Sequence, residues 1–336
     1  MIYLSVVIPV RNEGKHLTDT LDSLINQDYP SDKFELIIVD GMSEDNTRTI
    51  VENFMESHKT YKIKLLNNPG IWSSRARNIG IKEAVGKLIA VIDGHVYIPD
   101  DQLFNNMERS KEENDALCLA RPAPLDVPGL KTGKAYWIAM ARKTWLGHSK
   151  NSLIYSDHEG FVDPMSSGFA YDRSVFEKVG YFDESFDAAE DVEFNFRLKK
   201  AGIFAFTSPH FTIFSYPRES LYSLFRQQVR YGVGRARFAI KHPQGFSREA
   251  YLPTFIFLGH LLLPVLMVLL KYSKYFGLLL FMLFLFYWIL LLHTGMKIAI
   301  RKKFFWPGFY ISVAIWIIHV GLGWGFFKEK ILGKMY

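Results

Sequence analysis

Over the first 120 residues, short apolar runs alternate with stretches whose apolar positions recur at helical spacing. Leu4–Pro9 is the first run, and Leu17, Leu21, Leu24 and Ile25 then share one helical face. Glu35–Asp40 is a second run, followed by a helix presenting Ile50, Val51, Phe54 and Met55. Tyr61–Leu66, Ser74–Val85 and Leu88–Ile92 continue as strand, helix, strand. Strands separated by helices of this length predict parallel βαβ units with right-handed crossovers, and so an α/β fold with a mostly parallel sheet.

Beyond residue 250 the pattern changes. Three long stretches carry no charge, Tyr251–Leu270, Tyr275–Met296 and Phe304–Phe327, and each reaches the roughly 20 residues that cross a bilayer as a helix. Trp288, Trp306, Trp316 and Trp324 gather there, a residue type that favours interface depth. The expected organisation is a catalytic domain over 1–217, amphipathic or interface helices over 218–250, and a membrane domain over 251–336 with spans at 251–270, 275–296 and 304–327. Residues 4–9 are too short for a signal core and are soon interrupted by Arg11 and Glu13. The soluble part is therefore expected in the cytosol, at the inner face of a cell membrane. Lys297 and Arg301–Lys303, and the group Arg230, Arg235, Arg237, Lys241 and Arg248, then obey the positive-inside tendency, whereas Lys328, Lys330 and Lys334 do not.

Three strand ends carry polar groups: Pro9–Glu13 after the first, Asp40–Asp45 after the second, and Asp93-Gly94-His95 after the fourth. Each alone could be a turn or a helix cap, as Ser43 or Asp45 could be for the second helix. Together on one edge of a parallel sheet they describe a binding crevice. No G-x-G-x-x-G follows the first strand, since Arg11–Lys15 offers only Gly14, and no phosphate loop of the G-x-x-x-x-G-K-[ST] kind exists. This disfavours a nicotinamide-linked oxidoreductase. A divalent ion held by Asp93 and His95 is the alternative way to meet a diphosphate; oxygen ligands suit Mg²⁺, while an imidazole leans toward Mn²⁺. The net charge of +6 is modest and its basic cluster borders the apolar stretches, which points to lipid head groups or phosphorylated substrates and not to nucleic acid. A single cysteine, Cys118, excludes an internal disulfide.

Six segments in order resemble the family 2 glycosyltransferases with the GT-A fold: VVIPVRNE (Val6–Glu13), NQDYP (Asn26–Pro30), IIVDGMSEDNT (Ile37–Thr47), ARNIGI (Ala76–Ile81), VIDGH (Val91–His95) and AEDVEFNFRLKKAG (Ala189–Gly202). The likeness is greatest to membrane-bound enzymes of bacterial exopolysaccharide synthesis of the succinoglycan type. It implies a Rossmann-like sheet domain followed by interface and transmembrane helices. It further implies an inverting transfer from a nucleoside diphosphate sugar, usually of uridine, to a lipid-linked or saccharide acceptor. By resemblance Pro9, Arg11, Glu13, Asp40, Arg77 and Asp93 frame the donor nucleotide, and Asp93 and His95 stand at the D-x-D position that binds Mn²⁺ or Mg²⁺. Here the chain departs from the family in having His at the third place. Asp191 would be the general base, and Glu190 would contact the acceptor. Gln227, Arg230 and Tyr231 match the Q-x-x-R-W element of processive members, with Tyr for Trp, and would meet acceptor and diphosphate. The same stretch also reads as an amphipathic helix with Leu221, Leu224, Phe225 and Val229 on lipid. A processive synthase that exports its polymer is a rival reading, ranked second because three spans are few for a channel. A membrane scaffold that keeps the fold without catalysis is another.

Overall fold

The structure is a computed structural model that describes residues 1–148, 153–263, 265, 268 and 273–333. The chain forms two compact units: Met1–Pro128 with Asn151–Tyr216, and Gly129–Lys150 with Pro217–Tyr336.

In the first unit an eight-stranded sheet has the order β3-β2-β1-β4-β8-β6-β9-β7. β1 (Leu4–Val10), β2 (Phe34–Asp40), β3 (Lys62–Asn67) and β4 (Leu88–Val91) run parallel. β1 is buried along its whole length because helices cover both faces. Leu4, Val6, Ile8 and Val10 face one core with Leu17, Leu21 and Leu24 of α1 (Leu17–Ile25), while Val7 faces a second core with Ala76 and Ile81 of α3 (Ser73–Glu83). Each such leucine, fully out of water, contributes about 2 kcal/mol, so the apolar runs fix both register and face. α2 (Thr47–Ser57) links β2 to β3, as expected.

From β1 the chain moves outward through β2 and β3, then returns to lay β4 on the other side of β1. The carboxyl ends of β1 and β4 are therefore the switch point of the sheet, where an open α/β fold leaves a crevice. β8 (Gly168–Asp172) enters antiparallel between β4 and β6 (Cys118–Ala120), so β6 again runs with β4 and ends on the same edge. β9 (Ala205–Thr207) and β7 (Gly160–Val162) complete the sheet, and β5 (Val96–Tyr97) pairs with β10 (Phe214–Ser215). Helices α4 (Leu103–Asn114), α6 (Arg173–Val179) and α7 (Glu190–Lys200) belong to this unit.

The second unit is helical: α5 (Gly133–Arg142), α8 (Leu221–Lys241), α9 (Leu252–Leu261), α10 (Lys274–Arg301) and α11 (Pro307–Leu332). α10 and α11 are long and apolar enough to cross a membrane. They correspond to the second and third apolar stretches of the sequence. Of the first stretch, α9 covers Leu252–Leu261, and residues 264, 266–267 and 269–270 lie outside the described residues, as does Lys334. The segment over 129–150 groups with these helices and not with the sheet, because Trp137 of α5 sets its ring edge-on to Phe304 at 5.3 Å.

Of the apolar stripe that the sequence suggests for α8, Leu224 is buried in the helical unit, while Leu221, Phe225 and Val229 are half-buried. Gln228, Gly232 and Ala236 are buried too and continue from Leu224 along one face against α11. The two backbones meet: a Cβ on Gly232 would stand 2.3 Å from the Leu322 carbonyl oxygen, and one on Gly325 only 2.0 Å from that of Val229. Glycine at both positions lets the helices cross at backbone contact, as small residues do in membrane bundles. Ser220 opens α8 with a capping box, accepting from the Ser223 N–H at 3.1 Å.

Candidate active site

The loops at the carboxyl edge of the sheet are locked to one another before any ligand arrives. After β1, the Asn12 N–H donates to Ser43 Oγ at 3.0 Å, Asn12 Oδ1 accepts from the Glu44 N–H at 2.8 Å, and the Glu13 N–H reaches Thr47 Oγ1 at 2.8 Å. Asn12, Met42 and Ile71, one in each loop after β1, β2 and β3, hold φ of 55°, 60° and 67°, and Ala189 at the start of α7 holds 61°. Non-glycine residues in this region cost of order 1 kcal/mol or more each, most for β-branched Ile71, and such strain gathers at functional sites.

Asp40, at the end of β2, is buried; its Oδ1 accepts from the Ser43 N–H at 3.1 Å and its Oδ2 lies 3.9 Å from Arg48 Nη1. Pro9 is an interior residue of β1, and Arg11, just past the strand's end, pairs loosely with Glu44 at 3.7 Å. Asp93 and His95 follow β4. Between them Gly94 packs against β1, where a Cβ would come within 2.8 Å of Val10 Cγ1 and 3.3 Å of Glu13 Cγ. His95 Nδ1 stands 2.9 Å from Glu13 Oε1, across 82 residues of sequence.

Arg77 ties the two halves of the site together. Its Nη2 is 3.2 Å from Glu190 Oε1 at the start of α7 and 3.5 Å from Asp93 Oδ1, and its guanidinium lies over the Phe182 ring. Burial disfavours this charge, but Glu190, Asp93 and Asp191 outweigh it and hold Arg77 above its ordinary range. α3 is pinned in place by the next residue: Asn78 Nδ2 donates to the Phe182 carbonyl at 2.9 Å, and its Oδ1 accepts from the Phe182 N–H at 2.9 Å. Glu190, expected from the sequence to contact the acceptor, is turned inward onto Arg77 and is 5% exposed.

Asp191 stays open to solvent at the same helix start, with one oxygen accepting from the Val192 N–H at 2.9 Å. The protein crowding it raises its carboxyl above the usual range, helped by Glu190 and Asp93; Arg77 and the Val192 N–H pull the other way. A carboxylate that is reluctant to ionise yet accessible is suited to take a proton. Glu193, fully buried, is spent on Arg197 at 3.0 Å.

Sequence reasoning passed over Arg121. It directly follows β6, on the edge shared with β4, and its Nη1 donates to the Ile213 carbonyl at 3.0 Å. Burial lowers its pKa first, with Asp93 and Asp191 opposing and Arg77 adding, so its charge is felt by the same three groups. An arginine closing a buried strand on the ligand edge was the available signal. The Pro164–Phe169 turn braces it: the Arg121 N–H donates to the Ser167 carbonyl at 3.2 Å and Ser167 Oγ to the Arg121 carbonyl at 2.5 Å.

Asp93 and His95 are the residues that could hold a divalent ion. Among the described residues no group of three or more His, Cys, Asp or Glu side chains gathers for one. The donor set fits an ion shared with a ligand: one carboxylate, part-exposed, and one imidazole whose ring is oriented by a second carboxylate. Gln227, Arg230 and Tyr231 lie on α8 of the second unit, where Gln227 Oε1 stands 3.5 Å from Arg142 Nη1.

Residues 5–180 match the family model described as Glycosyl transferase family 2, and residues 139–328 match that of Glycosyl transferase family group 2. A Methanococcus voltae protein described as dolichyl N-acetyl-alpha-D-glucosaminyl phosphate 3-beta-D-2,3-diacetamido-2,3-dideoxy-beta-D-glucuronosyltransferase is 27% identical over 99% of both chains. Succinoglycan biosynthesis protein ExoA of Rhizobium meliloti is 31% identical over 70% of each. Among solved structures, the mannosyltransferase PcManGT from Pyrobaculum calidifontis, in complex with GDP-Man and Mn²⁺, superposes with a TM-score of 0.55 at 19% identity. That match covers 73% of this chain and 65% of the other, and it is a likeness of fold.

Proposed function

This chain belongs to glycosyl transferase family 2 and carries the GT-A fold; from that premise we propose that it transfers one sugar, with inversion, from a nucleoside diphosphate sugar to a lipid-linked phosphate acceptor at the cytosolic face of a membrane. The observation that carries this reading is Asp191, an accessible carboxylate of raised pKa set beside the Arg77–Asp93–Glu190 cluster. The Methanococcus relative aligns over its whole length, and its name gives a dolichyl-linked sugar phosphate as acceptor. This favours such an acceptor over a free saccharide. The succinoglycan relative points to the same kind of work, polysaccharide or glycolipid synthesis.

In this mechanism the acceptor hydroxyl oxygen attacks the anomeric carbon as Asp191 accepts its proton. The bond from that carbon to the diphosphate breaks, and the nucleoside diphosphate leaves with the electron pair. Arg77 holds Asp93 and Glu190 in place, and so fixes the start of α7 relative to the end of β4. Arg121 adds a second buried positive charge on the edge where the diphosphate would lie. Asp40 and the backbone at Pro9 would bound the base, with Arg11 at the rim. Asp93 and His95 would hold the divalent ion, Mn²⁺ before Mg²⁺ because of the imidazole; when bound it supplies positive charge against the leaving diphosphate. A protein of related fold has been solved in complex with GDP-Man and Mn²⁺, which supports a divalent ion here.

The test is nucleotide release by the full chain in lipid nanodiscs, with a panel of uridine and guanosine diphosphate sugars, Mn²⁺, and a polyprenyl phosphate-linked N-acetylglucosamine acceptor. Release well above that of Asp191→Asn, with one sugar added per acceptor, is expected. A wild-type rate no higher than the variant's with every donor would defeat the enzymatic reading, and a ladder of products would favour a processive synthase.

A further inference from the structure

The backbone around His95 is fastened by residues far from it in sequence, and one of them has no part in the steps above. The buried Thr20 of α1 closes on the turn: its Oγ1 accepts from the Val96 N–H at 3.0 Å and donates to the Val96 carbonyl at 2.9 Å. Glu13 orients the imidazole. The His95 carbonyl accepts from the Tyr216 N–H at 3.2 Å.

Tyr216 ends a short segment that runs between the loops after β6 and β4. On one side the Ile213 and Ser215 N–H groups donate to the Pro122 and Pro124 carbonyls at 3.2 and 2.9 Å; on the other, β10 pairs with β5. The Tyr216 ring lies flat on that of His16, with centroids 3.9 Å apart and planes tilted by 12°. The His16 N–H in turn donates to the Glu13 carbonyl at 3.1 Å, so this ring hangs from the turn that carries Glu13. Tyr216 therefore touches both halves of the Glu13–His95 contact, the backbone of one and the turn that bears the other. Burial first, and then Asp19, hold its phenol above the ordinary range, so the ring stays neutral and acts through its face.

A metal ligand must be held within a fraction of an ångström, and the groups that orient it matter nearly as much as the ligand itself. Two flat rings in face contact fix both spacing and tilt, whereas a single backbone bond lets the turn rock about it. We propose that Tyr216 and His16 are positioning residues for the divalent ion. Their stack sets the distance between the Glu13 turn and the His95 turn, and so keeps the imidazole where it can share the ion with Asp93. The inference rests on the ion-holding role that the proposed function gives to Asp93 and His95.

The test is Mn²⁺ binding to the full chain in lipid nanodiscs, with saturating uridine or guanosine diphosphate, whichever binds more tightly. It is read by titration and by the nitrogen modulation that a coordinated imidazole gives the Mn²⁺ spin echo. Wild type is expected to show that modulation and His95→Ala to lose it. Tyr216→Ala and His16→Ala should each weaken Mn²⁺ by about tenfold and diminish the modulation, with nucleotide binding in the absence of the ion unchanged. The double variant should match either single one within about twofold, because both break the same contact. Tyr216→Phe keeps the face and should stay within about twofold of wild type. Where Tyr216→Ala melts far below wild type, Tyr216→Leu replaces it, with the same loss expected because bulk returns without the flat face. Wild-type affinity and modulation in Tyr216→Ala would reduce the stack to a structural contact and overturn the proposal. Additive losses in the double variant, or a Tyr216→Phe as weak as Tyr216→Ala, overturn it too, and all three results leave His95 a ligand. No nitrogen modulation in wild type, or none lost in His95→Ala, overturns the ion reading itself and this inference with it.

Discussion

Nδ1 of His95 lies 2.9 Å from Oε1 of Glu13, which makes the carboxylate the orienting partner of the imidazole. The contact favours the tautomer with its proton on Nδ1, leaving Nε2 as the nitrogen with a lone pair to give. Glu13 was expected to frame the nucleotide; if His95 holds the ion, the same carboxylate would also orient that ligand.

Glu13→Ala should therefore weaken Mn²⁺ affinity by about 10–100-fold while the melting temperature stays near wild type. His95→Asp should keep the fold and move the metal preference toward Mg²⁺. Nucleotide binding titrated with each ion checks both, and a metal profile unchanged in His95→Asp would remove His95 from the ligand set.

Arg77, with 13% of its side chain exposed, faces two carboxylates, so removing it leaves the buried Glu190 uncompensated out of water. Arg77→Met should lower stability by about 3–5 kcal/mol, because breaking one side of a buried pair strands the other. Adding Glu190→Gln should restore much of that loss without restoring transfer, since the Arg77 guanidinium beside Asp93 is still missing. Chemical denaturation of the two single variants and the double variant measures the coupling; strict additivity would show that the pair is not the source of the effect.

Much of this arrangement was legible in sequence for a physical reason. Strands covered on both faces are continuous apolar runs, so β1, β2 and β4 announce themselves, and with them the carboxyl ends that carry Asp40, Asp93 and His95. What was hidden depends on chain returns that no local pattern encodes. β8 enters between β4 and β6 although it begins 77 residues after β4 ends and 48 after β6 ends, and only that insertion puts Arg121 on the edge of Asp93. Glu13 and His95 are likewise joined by the β1–β4 pairing and not by spacing. In α5, the buried run Tyr136–Ala141 has no polar face to set a period, so its membership of the helical unit could not be read from the sequence.

The crossing of α8 and α11 gives a prediction that is independent of the chemistry. Gly325→Leu would drive a side chain into the Val229 carbonyl, where even a Cβ stands 2.0 Å away, and backbone cannot yield as a side chain can. Such overpacking costs about 1–3 kcal/mol or more, and it should displace Gln227 and Tyr231 on the same helix. Loss of heat stability in detergent, with transfer lost but uridine diphosphate binding kept, is the expected outcome. A variant as stable and active as wild type would show that the close crossing is dispensable.

Asp191 links activity to pH in a direction that can be worked out. Its folded pKa is raised, by crowding first and then by Glu190 and Asp93, so the ionised form is the disfavoured one in the folded protein. That penalty is present above the raised pKa and fades as pH falls through it toward the ordinary carboxylate value of about 3.9. Transfer needs the ionised form, so the acid limb of the rate profile should lie above that ordinary value, and Asp191→Asn should lose about 10²–10⁴-fold at neutral pH. The same substitution removes the penalty, so the variant should melt at or above the wild-type temperature at pH 7, with the gap closing as the pH is lowered. The two halves of this expectation separate function from folding: a variant that loses activity by losing stability would melt lower, and would return Asp191 to the role of a helix-start carboxylate that complements the dipole of α7.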